Sequence, residues 1–356
     1  METKIDVKKL KELGFPDEVI ERMDPRDGGN VDANGNVLFL DADRLKRMEH
    51  PEKPMRVNRP DKFGLNSWLA RWSADYINKP GFDPGPSFRY VDNATKGPRD
   101  GVQYKLVNKM LGFGQNGYTY GSVLPLNHDL TDHSHSAIFP IDLVFDAMEK
   151  AEYIAILHTC VCRRAFDCQD YDKDLGCIFI NTAGRRVVET GIAREATVEE
   201  AKAHILRAKE AGLFCCAEMV EGEQYIWGLD NDQMNEYRMF CFCCPCCCLA
   251  MKVIRNSDSV IKERMHGCGF TATTDHDKCV GCRKCATACP KEAITFREDG
   301  KSVINQDTCV GCAWCKQECG TGAIRILQNY PLRRSVNEYF LKEGRIDDGV
   351  SEKGNV

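Results

Sequence analysis

The hydrophobic pattern changes character along the chain. Residues 1–50 open with a helix-like run, Val7, Leu10, Leu13, Val19 and Ile20, broken by Gly14-Phe15-Pro16. Asp32–Val37 reads as a turn running into Val37-Leu38-Phe39-Leu40 and predicts a small hairpin. Residues 51–120 are rich in Pro, Gly and aromatics and predict ordered loops with short helices, one of them over Tyr104–Leu111. Phe63, Trp68 and Trp72 are expected to pack as a core for this part. From residue 121 the periodicity firms up. Ile138–Lys150 predicts a helix with Pro140 in its first turn, and Tyr153–Leu157 a buried strand leading to Cys160. Thr197-Val-Glu-Glu200 is a capping box, Ala201, Ile205, Leu206 and Ala208 continue at helical spacing, and Gly212 fits the stop. Tyr225-Ile226-Trp227 predicts another short strand, residues 249–264 a helix, and a last helix follows Ser335 before a polar tail.

The chain has 356 residues, enough for two or three domains, and 43% of them are hydrophobic, so a sizeable core can form. A net charge of −5 argues against a nucleic-acid surface, which needs clustered Lys and Arg. No stretch approaches the ~20 apolar residues of a membrane helix. The start, Met1–Asp6, lacks the layout of a signal peptide, so a cytoplasmic protein without a membrane span is expected.

Cysteine changes the picture most. All 21 lie between Cys160 and Cys319. A disulfide scaffold would be short and exported. Adjacent thiols such as Cys243–Cys244 and Cys246–Cys247–Cys248 also suit disulfides poorly. So many thiols in a reducing compartment read as metal ligands, and an oxygen-poor, anaerobic setting is expected because thiolates and clusters oxidise.

Cys279-Val-Gly-Cys282-Arg-Lys-Cys285-Ala-Thr-Ala-Cys289-Pro290 is a C-x₂-C-x₂-C-x₃-C-P run, and Cys309-Val-Gly-Cys312-Ala-Trp-Cys315-Lys-Gln-Glu-Cys319 repeats it thirty residues later. Asp277 matches Asp307, and Ala293-Ile294 matches Ala323-Ile324, so the segment is an internal duplication of cysteine loop, short helix and strand. Three thiolates at this spacing wrap three corners of a cubane. Gly281 and Gly311 are expected to let the backbone approach the inorganic sulfides. The fourth cysteine lies too far along to close its own loop and reaches the other cluster. That assigns Cys279, Cys282, Cys285 and Cys319 to one [4Fe–4S] cluster, and Cys309, Cys312, Cys315 and Cys289 to a second. Residues 274–328 resemble a bacterial two-cluster ferredoxin; the second run departs from it in ending Cys319-Gly320 instead of Cys-Pro. Zinc knuckles are the competing interpretation, but zinc sites rarely need this spacing twice over.

A second cysteine field precedes this one. Cys160-Val-Cys162-Arg-Arg-Ala-Phe-Asp-Cys168, continuing to Cys177, can surround a third [4Fe–4S] cluster, with Arg163 and Arg164 offsetting its charge; free thiols or zinc are the alternative. Cys241, Cys243, Cys244, Cys246, Cys247 and Cys248 are six thiols in eight residues. Four corners cannot take them all, so a subset serves a shared or a fourth cluster. Cys215 and Cys216 are expected to be buried small residues, although the vicinal pair has a counterpart in domains of heterodisulfide-reductase type; Cys268 fits either an unusual ligand or a reactive thiol. Residues 121–330 together resemble a family of ferredoxin-like proteins of anaerobes with a C-x-C-Arg element, a C-x-C-C-x-C-C-C element and a two-cluster module. The resemblance implies iron–sulfur redox chemistry without fixing a substrate.

Other signals are weaker. Gly112-Phe-Gly114-Gln-Asn-Gly117 matches G-x-G-x-x-G but follows a helix-like run instead of a strand, so the glycines read as hinges. His128, His133 and His135 match no zinc motif and read as a solvated loop. The fold class is α+β: a cysteine-rich irregular α/β domain with a C-terminal two-cluster ferredoxin-like module. The expected organisation is an N-terminal region of unassigned role over 1–120, a cluster-binding domain over 121–270, the 2[4Fe–4S] ferredoxin domain over 271–330, and a helix and tail over 331–356. The leading function is an electron conduit between a low-potential donor and a partner redox protein, such as a flavoprotein or an oxidoreductase subunit. The alternative is a reductase with its substrate-converting site at Cys160–Cys177 and Cys241–Cys248, fed by the ferredoxin module. Electron transfer is favoured over independent catalysis.

Overall fold

The computed structural model describes residues 65–77, 83, 85–110, 120–124, 126, 140–219, 223–230, 233–234, 237–257 and 265–328. The helix and hairpin expected in residues 1–50, Phe63, the Gly112–Gly117 run, the three histidines and the helix after Ser335 lie outside these residues. Helix and strand are mixed throughout, and contacts divide the chain into two compact units, one holding residues 55–122 and 144–265, the other built mainly on 266–352.

The first unit opens with three helices, α1 (Leu65–Ile77), α2 (Gly85–Lys96) and α3 (Val102–Met110). Strand β1 (Tyr120–Leu124) and helix α4 (Pro140–Glu149) come next along the chain, each with residues assigned to both units, and Pro140 takes the first helical position, where its missing N–H costs nothing. The cysteine field then unfolds over β2 (Ile154–Leu157), α5 (Val161–Ala165), β3 (Ile178–Ile180), α6 (Asn181–Glu189), β4 (Ala193–Glu195), α7 (Val198–Glu210), β5 (Phe214–Met219), α8 (Gln224–Trp227), β6 (Met239–Cys243), α9 (Leu249–Asn256) and β7 (Met265–Gly267). Five strands pair in the order β4-β2-β3-β6-β5. The pairings within the five are antiparallel. An ordered sheet thus stands where an irregular domain was expected.

Local chemistry explains the element ends. The Thr197 hydroxyl accepts from the Glu200 N–H and the Glu200 carboxylate accepts from the Thr197 N–H, a complete capping box worth about 1 kcal/mol. The core gathers on β3: Phe179 is fully buried, with Trp227 edge-on at 5.1 Å and Tyr237 at 5.9 Å between ring centroids. Burying one such ring stabilises the unit by about 2–3 kcal/mol.

Two expectations fail here. Tyr225–Trp227 is one turn of helix, not strand, ended by Gly228 in the left-handed conformation at φ 71°. The turn packs on α1, where a Cβ at Gly228 would come within 2.9 Å of the Ala74 Cβ. Tertiary contact with small residues overrides the strand propensity of the aromatics. Trp68 and Trp72 are 60% and 58% exposed instead of forming a core. Helix α1 buries its opposite face, Ala70 and Ala74, both at 0% exposure.

The second unit carries β8 (Phe270–Thr274), α10 (Lys284–Ala288), β9 (Ile294–Phe296), β10 (Ser302–Ile304), α11 (Trp314–Gln317) and β11 (Ile324–Gln328). Strand β11 pairs antiparallel with β8, from Ile324↔Thr274 to Gln328↔Phe270, and β10 pairs with β9. The loop-helix-strand repeat expected from the duplication is present in both halves. No described helix is long and apolar enough to cross a membrane.

Candidate metal-cluster sites

Each repeat begins with a loop that turns left-handed twice. Gly281 and Gly311 have φ of 71° and 65°, and the non-glycine residues Arg283 and Ala313 have φ of 65° and 67°. Such a conformation costs a residue with a Cβ about 1–2 kcal/mol, and its recurrence at equivalent positions marks a functional loop. Alternating handedness turns backbone N–H groups towards one side, where anionic sulfur is favoured. The Gly281 N–H donates to Cys279 Sγ and the Gly311 N–H to Cys309 Sγ. A Cβ at Gly281 would stand 2.9 Å from the Gly300 carbonyl oxygen, and one at Gly311 would strike the Phe270 backbone. The glycines are therefore required by turn geometry and backbone packing.

The loops frame two cavities. One is lined by Cys279, Cys282 and Cys285 of the first loop together with Cys319 of the second. The other is lined by Cys309, Cys312 and Cys315 together with Cys289. None of these eight thiols belongs to a group of three within 4.8 Å, so each set encircles a space instead of collapsing onto one point. Soft thiolates spread around a cavity and met by N–H donors fit an iron–sulfur cluster.

The two cavities differ electrically. Burial opposes ionisation of Cys279, but the N–H groups of Ser302 and Gly281 and the Ser302 hydroxyl outweigh it and bring its pKa below the usual thiol value. Cys319 behaves likewise, with the Thr321 hydroxyl and the N–H groups of Ile324 and Ala323 overcoming burial. In the second cavity burial wins. It pushes Cys309 up to about 11, aided by the neighbouring Cys289, and raises Cys312 and Cys315 as well. Exposure follows the same division: Val280 is 70% exposed and Cys282 is exposed, whereas Val310 and Cys312 at the equivalent positions are buried. Lys291, nearly fully buried, stands in the wall of the second cavity and lowers the pKa of Cys309. Its equivalent in the first cavity is the neutral Thr321. Sequence reasoning passed over this lysine, although the substitution was visible in the aligned repeats.

In the upstream field, strand register decides which thiols meet. Cys216 faces Cys241 and Phe214 faces Cys243 across β5 and β6. Alternation places Cys216, Glu218, Cys241 and Cys243 on one face of the sheet, and Cys215, Ala217, Phe240 and Phe242 on the other. The vicinal pair Cys215–Cys216 is split between the faces, and both are fully buried, as is Cys268. Of the first run, Cys160 and Cys162 are hydrogen-bonded to each other, and Cys162 also meets Cys248, whose thiol lies 3.3 Å from Cys243 Sγ. Cys177 Sγ lies 2.9 Å from Cys241 Sγ. Cys168 joins Cys244, Cys246 and Cys247, all four sulfurs within 4.8 Å of one another.

The two arginines part company. Arg164 is exposed. Arg163 is fully buried and donates to the carbonyls of Asp172 at 3.2 Å, Leu175 at 2.9 Å and Phe242 at 2.5 Å, while its charge faces Cys160, Cys244 and Cys177. Several buried groups here lacked a motif. Cys216 donates to Glu218 at 3.6 Å, and Glu218 also contacts Cys241. The Tyr237 hydroxyl donates to Glu223 at 2.5 Å. Burial, then the Glu218 charge, push Glu223 up to about 8. The His204 Nε2–H donates to the Gly176 carbonyl at 2.8 Å, and burial lowers its pKa. The signal for Glu218 was a lone carboxylate ending the apolar run Leu213–Ala217.

Residues 272–326 match the family model of a 4Fe-4S dicluster domain. No curated protein and no solved structure matches the chain. The tandem segment is thus a ferredoxin-like module that binds 4Fe–4S clusters.

Proposed function

We propose that this chain is a multi-cluster electron-transfer protein in which Cys279, Cys282, Cys285 and Cys319 hold one [4Fe–4S] cluster, and Cys309, Cys312, Cys315 and Cys289 hold another. The observation that carries this reading is the exchange of the fourth cysteine: each cavity takes three thiols from its own loop and one from the other. When bound, such clusters accept and release electrons one at a time. The protein's part is to hold them and set their potentials. N–H and hydroxyl donors around Cys279 and Cys319, with solvent at Cys282, favour the reduced state of the first site. At the second, burial disfavours added charge and the Lys291 ammonium opposes that effect. The exposed Val280–Cys282 loop is the face that meets a redox partner, a flavoprotein or an oxidoreductase subunit of anaerobic metabolism. For the upstream field, sulfur contacts favour ligand sets drawn from both cysteine runs over the single set Cys160, Cys162, Cys168 and Cys177.

The test is cluster content in anaerobically purified full-length protein. Cys282→Ser is expected to lose one cluster, about four iron and four sulfide per chain, while the other keeps its reduced-state EPR signal. Unchanged iron in this variant would remove the ligand assignment.

A further inference from the structure

Within the upstream field one group of thiols is far more compact than the rest. The sulfurs of Cys168, Cys244, Cys246 and Cys247 all lie within 4.8 Å of one another, the only group of three or more possible metal ligands this tight among the described residues. Cys168 and Cys246 are 3.6 Å apart. Four thiolates bound to one tetrahedral ion at a metal–sulfur distance of about 2.3 Å stand about 3.8 Å apart, the edge of that tetrahedron. Thiolates on the four corners of a cubane stand much farther apart, because a core of iron and sulfide separates them. The compact group therefore has the size of a single-ion site.

We propose that Cys168, Cys244, Cys246 and Cys247 form a tetrathiolate site for one thiophilic divalent cation, zinc or ferrous iron, separate from every iron–sulfur cluster of the chain.

The surroundings suit such a centre. Cys168, Cys244 and Cys247 are buried and Cys246 partly so, which gives the closed shell of a structural site. Cys244, Cys246 and Cys247 come from one tight turn around Pro245, and Cys168 arrives from the loop after α5 to complete the fourth corner. On binding, the thiols release their protons and an M²⁺ ion with four thiolates carries two negative charges. Arg163 supplies a buried positive charge hydrogen-bonded to Cys244, and the N–H groups of Asp170 and Tyr171 donate to Cys168 Sγ. Such outer contacts orient ligands and stabilise their charge. The ion would tie residues 168 and 246, which belong to distant parts of the sequence, into one knot.

The site is tested on the full chain by counting metal against acid-labile sulfide. Iron in [4Fe–4S] clusters is matched by sulfide, so the wild type is expected to hold one metal ion per chain in excess of it. If that ion is zinc, its X-ray absorption edge shows four sulfur neighbours at about 2.3 Å. If it is iron, Mössbauer spectra show one tetrahedral ferrous ion apart from the cluster lines. The double variant Cys244→Ala/Cys247→Ala is expected to lose the excess ion with sulfide unchanged. Iron and sulfide falling together would show a cluster at these residues and overturn the proposal, as would an excess that survives the substitution. A wild type with no excess overturns it before any variant is made. The reading is independent of the ferredoxin assignment: Cys282→Ser leaves the excess ion in place, and the double variant leaves the ferredoxin EPR signals.

Discussion

Cys279, Cys282, Cys285 and Cys319 stand around a cavity, whereas Cys168 and Cys246 lie 3.6 Å apart with two more thiols beside them. Both groups contain four cysteines, yet their supports differ. The tandem thiols ride on loops whose left-handed residues bend the chain around a space, with backbone N–H groups as the main polar partners. The upstream thiols meet because strands distant in sequence pair in one sheet, and their principal counter-charge is the Arg163 side chain. Residue identity alone therefore does not decide what a set of cysteines binds. The spacing imposed by the backbone does.

Three substitutions probe that contrast, in descending order of effect. Arg163→Met should act on the upstream unit alone. Three carbonyls lose a charged donor, each such bond being worth about 1.5–3 kcal/mol, so thermal unfolding of this unit should show a loss of about 3 kcal/mol or more. Loss of the ferredoxin EPR signals in this variant would break the separation. Gly311→Ala should act on the tandem module. It adds a penalty of about 1–2 kcal/mol at φ 65° together with a clash against the Phe270 backbone, and should leave the second cluster labile by sulfide analysis. Gly320→Ala, where a Cβ meets nothing within 4 Å, is the matched control and should retain full cluster content.

Glu223→Gln gives a smaller effect than Arg163→Met or Gly311→Ala and sharpens the electrostatic side. Burial and Glu218 raise this carboxyl from 4.5 to about 8, so folding favours its protonated form. That contribution is complete below pH 4.5 and is lost as pH rises through 8. Wild-type melting temperature should therefore decline across this window by a few degrees more than that of the glutamine variant. Parallel pH profiles would show that Glu223 is ionised in the folded protein at neutral pH.

What could be read from the sequence divides along the same line. The tandem loops were legible because their ligand spacing, helices and strands all lie within short stretches that the duplication shows twice. The capping box at Thr197 and the strand at Ile154–Leu157 were legible for the same local reason. The upstream grouping was not. Nothing in Cys160–Cys177 indicates that Cys168 meets Cys246 or that Cys177 meets Cys241, since both contacts depend on the β3–β6 pairing. The exposed tryptophans of α1 and the helical turn at Gln224–Trp227 show the complementary limit, because side-chain type did not reveal which face of a helix, or which backbone state, the neighbours would favour.

The register of Phe214–Met219 against Met239–Cys243 has a further consequence. Odd and even positions of the inner strand face opposite sides: Cys241 and Cys243 share a face with Cys216 and Glu218, while Phe240 and Phe242 lie on the far side with Cys215 and Ala217. Dropping a single residue from this stretch would exchange the two, turning aromatic rings onto the sulfurs and thiols into the hydrophobic interior. Changes of length here keep the thiols on their face only in steps of two, which gives these five residues a parity rule.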